Sequence, residues 1–446
     1  MSPPQRTLTR PYSSSSAASQ QTLRQSEEEE NDDPLRLLPP TYQDGFYGRP
    51  MLNLFPKENP AAENEFKAKL QLGILDYFGR STKYESFSML LTHAGYTAEN
   101  VAPVVVLCAD NLSETDGSHL IELYHSCNCQ IIKRLFCFTG TTARYGVYSD
   151  MDRFFEKPDL GSSLGLQNAK KTCSLGPYFR FDQDPKSYCL TVHHGVQDDF
   201  DAGATFYEPP LVVEQPSLSD HINQTAEIKG QLALVTEGVR KNEEQARVLK
   251  EEIDALHNLK REFGRLVASE ACIVEHDGHK CHSDIALIHV DDTRLGENRM
   301  GLIPWMKRSK VLWSPRDSSH LSVAGWEKPI FGVAVAKAGR TTGTTIGSVE
   351  FRYAHVRFPG DGGITTSELC ILGQGANRFA ETGDSGSAVF NSTGKLVGLV
   401  LGGTYGVPVK AIGHEALGEI HLTYMMPIDL IMERLQLLRG SAANLL

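Results

Sequence analysis

Between residues 187 and 401 the sequence is cut into short apolar runs separated by Gly, Pro and Asp, and this limits the fold more than any other feature. The runs are Ser187–Val192, Ile285–Val290, Ile330–Ala336, Gly347–Phe351, Leu369–Leu372, Ala388–Phe390 and Lys395–Leu401. Runs this short, with turn residues between them, predict the strands of a sandwich or barrel. One stretch breaks the pattern. Over about 216–270, Ile228, Leu232, Val235, Val239, Asn242, Ala246, Leu249, Ile253, Leu256 and Phe263 alternate spacings of four and three, with charged and amide side chains between them. That is a heptad-like stripe, and Gly230 and Gly238 allow it to form two helices. Two readings are open: an insertion packing on its own protein, or a coiled-coil surface for a protein partner.

Charge excludes some functions. Lys and Arg number 44 against 55 Asp and Glu, a formal net charge of −11. An acidic chain without a basic stripe lacks the electrostatic footprint of a nucleic-acid binder. No run approaches the roughly 18 apolar residues of a membrane span, the longest resembling Ala102–Ala109. Met1–Arg6 has no apolar region behind it, so no secretory signal is expected. The nine cysteines are scattered, several in apolar runs (Cys108, Cys137, Cys189, Cys370), and Cys127 and Cys129 form a C-x-C without a second pair at zinc spacing. The expectation is buried free thiols in a reducing compartment, with no metal and no cofactor.

Residues 1–45, with Ser13–Ser16, the acidic run Glu27–Glu30 and Pro39-Pro40, have the composition of a disordered tail. Residues 46–157 read as a small α/β or α+β module of unassigned role. It contains a helix over Pro60–Phe78, a strand at Val101–Ala109, a helix capped by Ser113 running through Tyr124, and a strand at Gln130–Phe138. Residues 158–438 hold the β-rich region with its insertion and end in a helix over Leu430–Leu438. Residues 439–446 read as a tail.

Chemistry concentrates in Thr382-Gly383-Asp384-Ser385-Gly386-Ser387. Glycines around a serine let the backbone N–H groups of Gly383 and Ser385 point into one hollow, the geometry of an oxyanion hole. A serine hydroxyl needs a base to take its proton and a third group to orient that base. Upstream, Tyr188-Cys189-Leu190-Thr191-Val192-His193-His194 ends an apolar strand on a histidine, and Asp284-Ile285-Ala286-Leu287 begins another strand on an aspartate.

On these motifs the region from about 158 to 438 resembles the trypsin/chymotrypsin-like serine peptidase family, and its combined style is also similar to fungal trypsin-like proteins. The resemblance extends to Ser174–Phe179, like a first barrel strand, and to Lys337-Ala338-Gly339-Arg340-Thr341-Thr342-Gly343, like the opening of the second barrel. It implies an all-β double barrel with a helical insertion, preceded by the N-terminal module. It also implies a serine endopeptidase acting on polypeptides: Ser385 as nucleophile, His194 as base and then acid with His193 as the competing base, Asp284 orienting the imidazole, and the N–H groups of Gly383 and Ser385 as oxyanion hole. The alternative is an idle fold of the same family used as a binding or scaffold module. His194 and Asp284 lie 90 residues apart. The insertion accounts for the excess over compact relatives, because closure entropy grows only logarithmically with loop length.

The chain also departs from that pattern. Where the family carries disulfide cysteines, this sequence has Gly195 and Glu381, so two bridges are missing. Asp384 lacks a new N-terminus to pair with, leaving an internal cation or an unordered turn. Six residues before the serine, Phe379 replaces a carboxylate, which implies a preference for a neutral or apolar substrate side chain over Arg or Lys.

Overall fold

Backbone pairing sorts the chain into two large sheets in the computed structural model, which describes residues 42–43, 50–51, 54–81, 83–95, 101–143, 155–197, 203–237, 243–301, 320–360, 362–373, 378–408 and 419–446. The tail expected at 1–45 lies almost wholly outside these residues, as do Gly238, Val239 and Asn242. The N-terminal segment opens with a helical stretch (Pro60–Glu65, Phe66–Gln71 and Leu72–Arg80), which Asn59 caps by accepting the Ala62 N–H. Strands β1 (Phe87–Gly95), β2 (Val101–Ala109) and β3 (Arg134–Ala143) follow, with helix α1 (Glu114–Ser126) between β2 and β3. β2 and β3 run parallel, and a parallel pair needs a crossover such as α1. Ser113 and Asp116 close a reciprocal capping box at its start.

The first large sheet contains β4 (Ser163–Leu166), β5 (Cys173–Ser174), β6 (Tyr178–Phe181), β7 (Asp184–Thr191), β8 (Gly203–Glu214), β9 (Glu262–His276) and β10 (His279–Val290). Its spatial order is β6-β7-β10-β9-β8-β4-β5. Helices α2 (Leu218–Glu237) and α3 (Glu243–His257) interrupt it between β8 and β9. They pack on each other through Ile228, Leu249, Ile253 and Leu256. The helical region stops at His257. Phe263, which the heptad spacing assigns to the stripe, lies instead in β9 and is buried in the sheet core. Tertiary pairing of Glu262–His276 with both neighbours overrides the local periodicity.

The second sheet contains β11 (Ala334–Gly339), β12 (Gly343–Arg357), β13 (Thr366–Gly373), β14 (Ala388–Asn391), β15 (Leu396–Pro408) and β16 (Ile420–Pro427). These six strands close a barrel in the order β11-β12-β13-β16-β15-β14 and back to β11. The fold is that of the chymotrypsin-like proteins.

The N-terminal strands do not form a sheet of their own. β3 pairs with β15 (Thr404↔Thr142) and β1 pairs with β12 (Val356↔Ser88). Both long barrel strands change register where they reach past the barrel, between Val349 and Tyr353 in β12 and between Val400 and Gly402 in β15. Such bulges bend a strand, so β12 and β15 serve the barrel at one end and the N-terminal strands at the other. β1 and β3 are thereby joined to the second barrel by main-chain hydrogen bonds.

Helix α4 (Ile428–Arg439) buries Ile428, Ile431 and Leu435 and ends at Gly440 with φ +69°. The segment 439–446, read from the sequence as a tail, instead supplies β17 (Ala443–Leu445), which pairs with β6 at the edge of the first sheet. Among the described residues no helix is long and apolar enough to cross a membrane.

Candidate active site

β7 ends at Thr191, and the chain tightens into a single turn over His193–Gly195 that buries both histidines. Asp284 lies in β10, fully buried, opposite Ala271 of β9. Its carboxylate clamps His194 twice: Oδ1 accepts the His194 backbone N–H at 3.1 Å, and Oδ2 lies 2.7 Å from Nδ1. This double contact fixes the ring's position and occupies Nδ1. His193 turns elsewhere, with Nδ1 2.8 Å from the Ser269 hydroxyl, which also meets the Tyr207 hydroxyl at 2.7 Å. Gly195 is required by packing, since a Cβ there would fall 2.5 Å from the Cys173 Cβ. Cys173 and the other eight cysteines are free thiols.

Ser385 sits between β13 and β14 on a turn with two left-handed glycines, Gly383 (φ +101°) and Gly386 (φ +89°). The turn is tied to both sheets. The Ser385 carbonyl accepts from the Ser174 N–H at 2.9 Å, the Gly383 carbonyl accepts from the Ser174 hydroxyl at 2.9 Å, and the Gly386 N–H donates to Val400 at 2.8 Å. A Cβ at Gly386 would stand 2.4 Å from the Thr191 hydroxyl oxygen, three residues before His194. The serine turn therefore lies directly against the strand end that delivers the histidine.

The partner that the sequence left open for Asp384 is Lys337. Its ammonium donates to Oδ2 at 2.9 Å, with both side chains fully buried. Four more donors complete the cage: the Thr341 N–H (2.7 Å) and Thr342 N–H (3.2 Å) on Oδ1, and the Thr342 hydroxyl (2.6 Å) and Glu381 N–H (2.9 Å) on Oδ2. The turn is thus ordered by an internal cation. Lys337 belongs to the Lys337–Gly343 motif quoted above, so a signal for it existed, but sequence alone does not reveal which carboxylate it meets. Arg340 and Thr341 of the same motif press on the turn. A Cβ at Gly383 would fall 2.4 Å from both Arg340 Nη1 and Thr341 Oγ1.

Beside Ser385 lies a hollow of about 40 Å³ whose walls include Ala380, Glu381, Val400, Thr404, Tyr405 and His421. Phe379, expected from the sequence to set specificity, lies instead in the second-barrel core beside Val335, Val349 and Val389. The ungapped count from the serine assigns the wall position to 379, but Ala380 and Glu381 line the hollow. His421 had no sequence signal. Burial, reinforced by the nearby Arg378, pushes its pKa down to about 3. The Glu381 carboxylate is held by Arg378 at 2.6 Å.

Residues 239–413 match the family model described as Trypsin, a span that includes Asp284, Gly383 and Ser385 and begins after His194. Among solved structures the chain is similar to Thermobifida fusca Protease A, at 14% identity and a TM-score of 0.32, over 64% of this chain and 97% of that one. It is also similar to Nocardiopsis Protease, at 15% identity and a TM-score of 0.34, over 64% and 98%. Cellulomonas bogoriensis chymotrypsin matches at 13% identity and a TM-score of 0.33, over 65% and 98%. No curated protein matches the chain. The family model thus runs from α3 through β9 and β10 to β15, and over that span the chain is similar to the trypsin-like peptidases.

Proposed function

We propose that the protein is a serine endopeptidase that hydrolyses peptide bonds through Ser385, His194 and Asp284. The observation that carries this reading is the double clamp of Asp284 on His194, which presets the tautomer a general base requires. Ser385 attacks the scissile carbonyl while its proton passes to His194, and the developing oxyanion is held by the N–H groups of Gly383 and Ser385. His194 then gives that proton to the leaving amine, which departs as the peptide bond breaks and leaves an acyl-enzyme. Water, deprotonated by His194, releases the acid and restores the serine.

A hollow walled by Ala380, Val400, Thr404 and a neutral His421, with the Glu381 carboxylate bound by Arg378, which also meets Glu419 at 3.5 Å, supports a preference for substrates with a neutral side chain at the cleavage site. Nine free thiols support action in a reducing compartment.

Labelling with a fluorophosphonate probe tests the reading. Wild type is expected to label, and Ser385→Ala and His194→Ala are expected not to. Unlabelled wild type, or labelling that survives in Ser385→Ala, overturns the triad reading, and the first of these outcomes favours the idle, partner-binding use of the same fold.

A further inference from the structure

The helical hairpin between β8 and β9 is not peripheral to the site. Its first turn carries Asp220, which is fully buried although it belongs to an otherwise amphipathic surface helix. Both carboxylate oxygens are bound by one guanidinium, Oδ2 by Arg340 Nε and Oδ1 by Arg340 Nη2, and Oδ2 also accepts the Ser163 hydroxyl. Arg340 is 1% exposed. Its third nitrogen, Nη1, donates to the Thr341 hydroxyl at 3.2 Å, which in turn donates to the Thr382 carbonyl at 2.7 Å. Nη1 is also the atom that a Cβ at Gly383 would strike. The Arg340 backbone N–H donates to the Ser174 hydroxyl, which donates to the Gly383 carbonyl, both at 2.9 Å. The peptide on each side of Gly383 is thus braced by the residue that Asp220 holds.

We propose that Asp220 is a positioning residue of the oxyanion turn. It locks Arg340 against Gly383 and thereby makes the helical hairpin part of the reactive machinery. The inference rests on the peptidase reading above for its consequence in rate, while the mechanical coupling stands on the contacts alone. A bidentate guanidinium–carboxylate pair fixes direction as well as distance. The Gly383 N–H must point at the oxyanion to be effective, and losing one such donor costs about 10²–10³ in rate. An Arg340 released from Asp220 keeps its charge but loses its orientation.

The test uses the full chain with Asp220→Asn and the milder Ser163→Ala. Fluorophosphonate labelling is resolved into a reversible binding constant and a first-order step, at temperatures well below each variant's melting transition. Asp220→Asn is expected to slow the first-order step by about tenfold or more while binding changes by less than about threefold, with Ser163→Ala in between. Hydrogen exchange of the peptide spanning 380–387 is expected to accelerate in both variants, while a barrel peptide spanning 366–373 stays protected. A first-order step equal to wild type, in variants that only melt earlier, overturns the proposal and leaves the pair structural. If wild type itself does not label, the peptidase reading fails. In that case the exchange at 380–387 alone decides the coupling, and unchanged exchange overturns it. If Asp220→Asn does not fold, Ser163→Ala carries both readouts.

Discussion

Removing the Lys337 ammonium tests the internal anchor of the serine turn most directly. Lys337→Met keeps much of the side-chain volume and leaves the Asp384 carboxylate fully buried without its cation. Breaking a buried pair from one side costs about 3–5 kcal/mol, whereas replacing both partners by neutral groups is often close to neutral. The four remaining donors to Asp384 soften the loss, which sets the lower end of that range as the expectation. At about 2–4 °C per kcal/mol for a domain of this size, the melting temperature falls by roughly 6–12 °C. The activity readout is steeper. On the peptidase reading, an Asp384 that swings toward water disperses the proposed oxyanion donors at Gly383 and Ser385, and fluorophosphonate labelling drops by about 10²-fold or more. The double variant Lys337→Met with Asp384→Asn regains most of the melting temperature, since no buried charge is left unpaired, but not the labelling rate. The reasoning is refuted if Lys337→Met melts within about 2 °C of wild type and labels within about threefold of it.

Gly383→Ala is expected to abolish labelling, because its φ of +101° and the 2.4 Å approach of Arg340 Nη1 leave no place for a methyl group. A circular-dichroism melt separates that loss from global unfolding. Acid sensitivity follows from the buried His93 and the half-buried His355 and His421, with desolvation pushing His93 and His355 down to about 4 and His421 to about 3. Between those values and about 6.5 the unfolded chain binds more protons than the folded one. Stability therefore falls as pH drops from about 6.5 toward 4, as urea titrations across that window would show. Glu350 acts in the opposite sense. Burial raises it to about 7, so its folded form is protonated between about 4.5 and 7 and its contribution is lost as pH rises through that window. Glu350→Gln is therefore expected to raise the melting temperature more at pH 8 than at pH 5, and an equal gain at both would refute the assignment. Ser113→Ala, which removes the reciprocal cap of α1, should cost about 0.5–2 kcal/mol in a chemical melt without altering labelling.

Local chemistry made much of the molecule legible. Val101–Ala109 reads as a strand from its β-branched run and is one, residue for residue. Ser113 announces α1 because a cap is satisfied within four residues. The order of His194, Asp284 and Ser385 is a sequence fact, and two of the three are in direct contact. Other expectations failed where distant partners decide. Phe263 continues a helical spacing but is claimed by β-pairing on both sides. The last residues look like a tail because Ala443–Leu445 is too short to signal a strand without the waiting edge of Tyr178–Phe181. Counting back from the serine points to Phe379, but its side chain packs into the barrel core beside Val335, Val349 and Val389.

By itself, then, the sequence determined the alternation of short strands, the caps, the glycine turn around Ser385 and the types of residue available for acid–base chemistry. All of these depend on neighbours within a few positions. Only the tertiary structure decided which charges meet. Lys337 finds Asp384 across 47 residues, Asp220 finds Arg340 across 120, and β1 and β3 find the open ends of β12 and β15. The reason is energetic. A buried charge is tolerated only beside its counterion, and a strand edge is stable only when another strand covers it. Closing the two sheets is what brings those partners within reach.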